Sequence, residues 1–511
     1  MKAFIPAMTF LFCFCSLTRA TDILDQEIQL PKTKETTYEL FHRITDLTGF
    51  FFIYDSDIIN NEKKVKLPGG THSVRQSIYL ITQDPNLQIK VIDRHILLYK
   101  KEAPVAIVAK MPPEMNNDSA NFIVARAVVK DAQTKEPVPY VSASIEKAGI
   151  GTVTNGSGEF MLKIPLSDTN QPILISHVGY NPQIIPAGLF LNSTVDIYLK
   201  TQMVPLQEVI VGLVNPQKIV REMLNKRPVN CPTEPVYFTG FYREGVEKKN
   251  TIVGLTEAVF QIYKTDFKSL SEDQVKLLKM RKISNENETD SFVLKMRAGI
   301  DASLHLDIMK YLPDFLELND ENPFNYTKID MTVTDSGLAH VIAFEQKFGI
   351  QVPLYKGKLY IDSDNSALLV AHFEVNPQYI DEATDAFVLK KTKDVDIKPE
   401  KITYSVYYKY WNGKYYLNYL RGDLTFKVKK KKAFLQSAKS IHTFFEMVVC
   451  KIDMENVKRF PRRESIIKRN IFSETKFQYD SHFWDDFNII LSEERLNEAI
   501  GRISSKIEEM E

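Results

Sequence analysis

The sequence predicts a multidomain α+β protein: a small α+β domain, a β-sandwich, and a mostly antiparallel curved sheet with helices. Three observations carry this. Two capping boxes, each opening a stretch of helical apolar spacing, alternate with strand-like runs over residues 28–99. Short strands separated by turn signals, with no helical pattern, fill residues 122–211. Long runs rich in aromatic and β-branched residues then dominate residues 212–511.

The 511 residues carry 65 basic and 65 acidic side chains, so no net charge steers the protein toward nucleic acid. The first twenty residues, MKAFIPAMTFLFCFCSLTRA, hold one lysine near the start, an apolar run from Ala3 to Leu17 and small residues at Thr18 and Ala20. They read as a secretory signal cleaved after Ala20. The run is too short for a good spanning helix. Phe12 and Phe14 precede Cys13 and Cys15, a poor context for lipidation. After cleavage Cys231 and Cys450 remain, either as one disulfide or as two buried thiols.

In residues 28–100, Thr36 and Glu39 form the first capping box and Ser73 and Gln76 the second. Leu40, Phe41, Ile44 and Leu47 repeat at helical spacing, as do Val74, Ile78 and Ile81. Gly49 closes the first helix, Phe51 to Tyr54 is a strand, and LQIKVIDRHILLY is a hairpin turning at Asp93-Arg94. The YELFHRITDLTGFFFIYDSDII stretch, the VRQSIYLI helix and this hairpin resemble the short N-terminal (STN) domain of secretins and TonB-dependent receptors. That resemblance implies a domain that contacts envelope or signalling proteins and carries no catalytic residues.

Residues 101–121 mix Pro, Asn, Asp and Ser without periodicity and read as a linker. In the next module, GTVTNGSGEFMLKIP reads as a hairpin turning at Asn155-Gly156-Ser157-Gly158. A nucleophile elbow is the alternative for Gly156-Ser157-Gly158, but it needs a helix after the turn, and strand-like residues follow. D-A-x-T-x-x-P-V-P, G-T-V-T-N-x-x-G-x-F, I-S-H-V-G-Y and L-x-E-V-I-V, in this order over 122–211, resemble the carboxypeptidase regulatory-like domain. The resemblance implies a prealbumin-like sandwich and no peptidase. It departs from the usual pattern at Ala127, where glycine is expected. His177 is the module's one histidine, read as a surface or strand residue.

In transporters such a pair of modules precedes a plug and a barrel of about 22 strands at roughly ten residues each, more than residues 212–511 can supply. Those residues read instead as a helix, Pro216 to Leu224, followed by long strands, with a hairpin tip at Asn412-Gly413 and a terminal helix from Glu493 to Ile507 capped by Ser492. GKLYIDSDNSALLVAHFEV resembles the strand-turn-strand unit of lipoprotein-sorting half-barrels. The FYRE and YDSHFWDDFNIILSEERL stretches, with the module order, resemble envelope proteins of the Bacteroidetes type. That resemblance implies a place in the periplasm or at the periplasmic face of the outer membrane.

On a half-barrel, Tyr404, Val406, Tyr408 and Tyr410 would share one sheet face, with Tyr415, Leu417 and Tyr419 opposite on the partner strand. The stripe reads first as core; as a ligand wall it would take a lipid or an apolar peptide. Chemistry is sparse. His442 and Glu446 lack a second histidine, and His372 and Glu374 share a strand face without a third ligand. Cys231 has no histidine close in sequence. Arg243-Glu244 and the group Asp480, His482, Trp484, Asp485 and Asp486 are the dense polar clusters, with Trp484 and Phe487 read as packing anchors. Basic runs stand near Lys429–Lys432 and Lys458–Arg463, read as solvated faces or as contacts for lipid headgroups or acidic polysaccharide. The expectation is a non-enzymatic envelope binding or assembly protein with no cofactor, no metal and a protein partner at its first module. An envelope-polymer hydrolase and a signal-transfer component are the alternatives.

Overall fold

A computed structural model of the chain describes residues 23–54, 58–92, 95–100, 108–110, 122–190, 194–201, 215–249, 251–284, 299–384, 395–430, 438–468 and 487–492. The chain divides into two compact units, Met1–Glu102 and Ala103–Glu511.

In the first unit, β1 (Glu27–Leu30) pairs with β5 (Gly70–Ser73), and β2 (Thr33–Thr36) with β4 (Lys64–Leu67). β3 (Phe51–Tyr54), β7 (His95–Lys100) and β6 (Leu87–Ile92) form a three-stranded sheet. Helices α1 (Thr37–Thr48) and α2 (Val74–Thr82) pack between them. Both capping boxes form: the Thr36 hydroxyl accepts from the Glu39 N–H at 3.2 Å, and the Ser73 hydroxyl from that of Gln76 at 3.2 Å. Gly49 takes φ +72° and its N–H donates to the Thr45 carbonyl, ending α1. Leu40, Phe41, Ile44, Val74, Ile78 and Ile81 are buried. Leu47, expected on the same face, lies on the last turn of α1 and is exposed. The Asp93-Arg94 turn lies outside the described residues, but Ile92 and His95 pair across it.

The second unit begins with two facing four-stranded sheets. β8 (Val108–Lys110), β9 (Phe122–Asp131), β12 (Glu159–Pro165) and β15 (Thr194–Leu199) form one, in the order β12-β9-β15-β8. β10 (Ser142–Ile145), β11 (Ile150–Val153), β13 (Pro172–Ser176) and β14 (Gln183–Pro186) form the other, in the order β14-β13-β10-β11. Ala127, Val129, Phe160, Leu162, Ile175 and Ile197 fill the space between them. The predicted hairpin at Asn155–Gly158 is corrected here. β11 and β12 do not pair; the turn carries the chain from one sheet to the other, so both strands bury residues on the shared core.

After α3 (Pro216–Asn225), capped by Asn215, and the short α4 (Arg227–Asn230) come, among the described residues, ten antiparallel strands. They are β16 (Val236–Lys248), β17 (Thr251–Lys264), β18 (Gln274–Ser284), β19 (Phe324–Val333), β20 (Leu338–Gln346), β21 (Tyr355–Asp362), β22 (Leu368–Val375), β23 (Val395–Trp411), β24 (Lys414–Lys430) and β25 (Lys439–Asp453). Their order, β18-β17-β16-β25-β24-β23-β22-β21-β20-β19, makes a curved half-barrel of two meanders joined where β25 meets β16. Asn412 and Gly413, at φ +45° and +81°, form the two-residue turn between β23 and β24.

The sandwich and the half-barrel are one body. Ile150 of β11 pairs with Lys451 of β25, and the Ile452 N–H donates to the Gly149 carbonyl at 3.0 Å. Residues 487–492 pack between them: Thr152 donates to the Ile489 carbonyl at 2.9 Å, and Asn488 accepts from the Lys163 N–H at 2.6 Å. Cys231 and Cys450 are free, buried thiols in different cores, one on each face of the half-barrel.

Candidate functional site

The half-barrel has two faces, and they differ in chemistry. On the inner face α5 (Gly299–His305) and the chain that follows it, to Leu316, occupy the curve. Ile300, Leu304, Ile308, Met309 and Phe315 pack onto the strands, and Phe315 stacks on Phe344 at 4.2 Å between centroids. This plug is pinned by polar contacts. The Tyr408 hydroxyl donates to Asp307 at 3.0 Å and accepts from the Met309 N–H at 3.2 Å. Lys264 pairs with Asp273 at 2.8 Å and Asp307 at 2.9 Å, and Lys310 with Asp273 at 2.6 Å. The two ammonium groups hold the Asp273 carboxyl well below its usual range despite its burial.

The tyrosine stripe meets this plug, so most of it is core. Val406, Tyr408, Tyr415 and Leu417 are buried there, with Tyr404 half-buried beside Phe373. Cavities of about 10 and 20 Å³ lie around Cys231, Tyr408 and Tyr415. Two members leave the stripe. Tyr410 is exposed near the hairpin tip. Tyr419 lies on the opposite face, because Tyr407 pairs with Tyr419 while Tyr408 pairs with Leu417, leaving Asn418 as a bulge. One extra residue reverses the alternation.

The outer face carries an unbroken cross-strand row. Arg281, Glu257, Arg243, Glu446, Arg421, Ser405, His372, Lys358, Ala343 and Thr327 are directly opposed, one on each of the ten strands. Its first five members alternate in sign and join laterally. Arg243 donates to Glu257 at 2.7 Å, to Glu446 at 2.9 Å and to the Ile490 carbonyl at 2.8 Å. Arg281 reaches Glu257 at 2.5 Å, and Arg421 reaches Glu446 at 3.3 Å and Asp423 at 2.8 Å. His442 bridges Asp423 at 3.0 Å and Glu247 at 3.1 Å. These two acceptors lift its imidazole to about 9, and Asp423 is drawn down to about 2 by His442 and Arg421 against the effect of burial. Arg243, Glu257 and Glu446 are each at most 3 % exposed.

Beyond Arg421 the row opens into a groove of about 660 Å³. Thr327, Ile329, Lys358, Tyr360, His372 and Ser405 are among its walls, with Glu374 paired to Lys356 at 3.3 Å. His372 bonds Ser405 at 3.0 Å; burial, then His177 and Lys358, push its imidazole down to about 4, so the ring is neutral near pH 7. His177, read as a surface or strand residue, is half-buried against Tyr407 at this junction.

His372 and Glu374 therefore do share a face, but as groove lining. His442 and Glu446 are committed to ion pairs. Among the described residues no group of three or more His, Cys, Asp or Glu is placed to hold a metal. Arg243 belongs to the row, whereas Asp480, His482, Trp484, Asp485, Asp486 and the helix after Ser492 lie outside the described residues. Ser405, Lys358 and Thr327 were not singled out from sequence. Each is an ordinary strand residue until register lines them up.

Residues 127–211 match the CarboxypepD_reg-like domain family. No curated protein matches the chain. Among solved structures, an outer membrane lipoprotein-sorting protein domain from Vibrio parahaemolyticus is 9% identical, with 48% of this chain and 95% of that one covered at a TM-score of 0.22. A LolA superfamily protein from Nitrosomonas europaea is 9% identical, with 49% and 96% covered at 0.16. Scores this low carry no argument; the half-barrel description rests on the strand pairing itself.

Proposed function

We propose that this is a non-enzymatic cell-envelope binding protein, exported to the periplasm or the periplasmic face of the outer membrane, whose ligand lies in the outer groove. One observation carries the reading: α5 and its plug fill the inner face, while the opposite face of β19–β23 presents an open groove. The groove mixes Ile329, Ala343 and Tyr360 with Lys358, His372 and Ser405, which suits an amphipathic ligand better than a bare hydrocarbon. The first unit, with its STN-like pattern, serves a protein partner, and the sandwich braces the half-barrel. Export rests on the apolar run Ala3–Leu17 and is tested by fractionating cells.

Native mass spectrometry of the chain purified from its own envelope fraction tests the binding role. A bound mass retained by the wild type and lost in His372→Trp, which fills the groove, supports it. A clean apo mass, or a bound mass unaffected by the substitution, refutes it.

A further inference from the structure

One end of the half-barrel gathers exposed apolar side chains within a basic surround. There β16 and β18 begin, β17 and β25 end, and β23 turns into β24. The β17–β18 loop carries Leu270 at full exposure, flanked by Ser269 and Ser271. Ile467, Val229 and Met454 are also exposed. Their segments touch one another. Asn412 bonds Met454 at 3.4 Å, Lys414 bonds the Val229 carbonyl at 2.7 Å, the Phe267 N–H donates to the Pro232 carbonyl at 3.4 Å, and Arg459 donates to the Glu272 carbonyl at 3.2 Å.

The charge at this end departs from that of the chain. Segments 226–234, 266–272, 410–414 and 451–468 hold ten Lys and Arg against six Asp and Glu, whereas the whole chain is balanced. The basic run Lys458–Arg463 is held on the sheet. Phe460 stacks on Tyr237 at 5.4 Å and 8°, and the Tyr237 hydroxyl accepts from the Lys458 N–H at 2.9 Å. Arg462 and Arg463 point their charge from that fixed scaffold and are exposed.

We infer that this end of the half-barrel docks on an anionic lipid surface, with Leu270 and Ile467 entering the headgroup layer and Arg459, Arg462 and Arg463 meeting lipid phosphates. A solvated basic face accounts for the arginines but not for a fully exposed leucine at a loop tip beside them. An acidic polysaccharide likewise offers that leucine nothing. Exposed apolar side chains next to a fixed run of arginines, on segments with a surplus of four positive charges, suit the interface of an anionic bilayer.

The test is vesicle flotation with the chain begun at Thr21, so that the apolar run Ala3–Leu17 does not bind lipid by itself. Vesicles of phosphatidylcholine alone are compared with vesicles holding about one third phosphatidylglycerol. The wild type should float with the anionic vesicles and not with the neutral ones. Arg462→Glu with Arg463→Glu should lower binding at least about tenfold, and Leu270→Ser with Ile467→Ser about tenfold. All four side chains are exposed, so an unchanged thermal midpoint will verify the fold. Two results overturn the proposal: no preference for anionic vesicles, or loss in the charge variant with none in the serine variant. The latter would assign the face to an acidic polymer.

Discussion

Arg243 and Glu446, 203 positions apart in the chain, sit directly opposite each other on β16 and β25 and join at 2.9 Å in the charged half of the outer-face row. They close the two meanders into one sheet. Arg243 uses three nitrogens on Glu257, Glu446 and the Ile490 carbonyl, a pattern a lysine cannot repeat.

Arg243→Met should therefore destabilise the second unit by about 3–5 kcal/mol, since it strips one cation from a buried alternating row. Arg243→Lys should recover little of this. Both tryptophans, Trp411 and Trp484, fall in the second unit, so tryptophan fluorescence in urea follows its unfolding. A loss under about 1 kcal/mol would mean the row is energetically idle.

His442, which joins the row through Asp423 and Arg421, carries a pH dependence. Its folded value of about 9 exceeds the ordinary 6.5, so its stabilisation is complete below the ordinary value and disappears as pH rises through about 9. His442→Gln should cost roughly 1–2 kcal/mol at pH 6, discounted for partial exposure. The gap between wild type and variant should shrink toward pH 10. Paired urea titrations across that range measure it, and a constant gap would contradict the assignment.

Lys409 has the opposite sign. Its Nζ is buried beside Gly151 of the sandwich with no hydrogen-bond partner among the described residues, and burial pulls its ammonium down to about 8. Lys409→Met should raise stability at pH 7 by about 1–2 kcal/mol, seen as a higher thermal midpoint. A lowered midpoint would place an unseen partner on Lys409.

On the inner face, Tyr408→Phe removes the hydroxyl shared by Asp307 and the Met309 N–H. A cost of about 1–3 kcal/mol is expected, with faster amide exchange concentrated in residues 299–316. Exchange unchanged there would show that the hydroxyl does not hold the plug.

Patterns local in sequence were legible as such. The capping boxes at Thr36 and Ser73, the Pro216–Asn225 helix and the Asn412-Gly413 turn each depend on residues within a few turns of each other. The tyrosine alternation failed at Tyr419 because period two assumes an unbroken ladder, and the extra residue at Asn418 breaks it. The Asn155–Gly158 turn was seen as a turn, but which sheet receives the next strand depends on a partner, β9, that precedes it by thirty residues or so.

The sequence by itself determined the capped helices after Thr36 and Ser73, the helix after Asn215, the Asn412-Gly413 turn and the match of residues 127–211 to a known module, because propensity, capping and turn chemistry act over a few residues. The tertiary structure alone decided that α5 fills the tyrosine face, that sandwich and half-barrel form one body, and that Arg281 through Thr327 align into a row ending in an open groove. The reason is register. A residue's face and neighbours in a ten-stranded sheet depend on every bulge and pairing between it and its partner, and those pairings span up to about two hundred residues of chain.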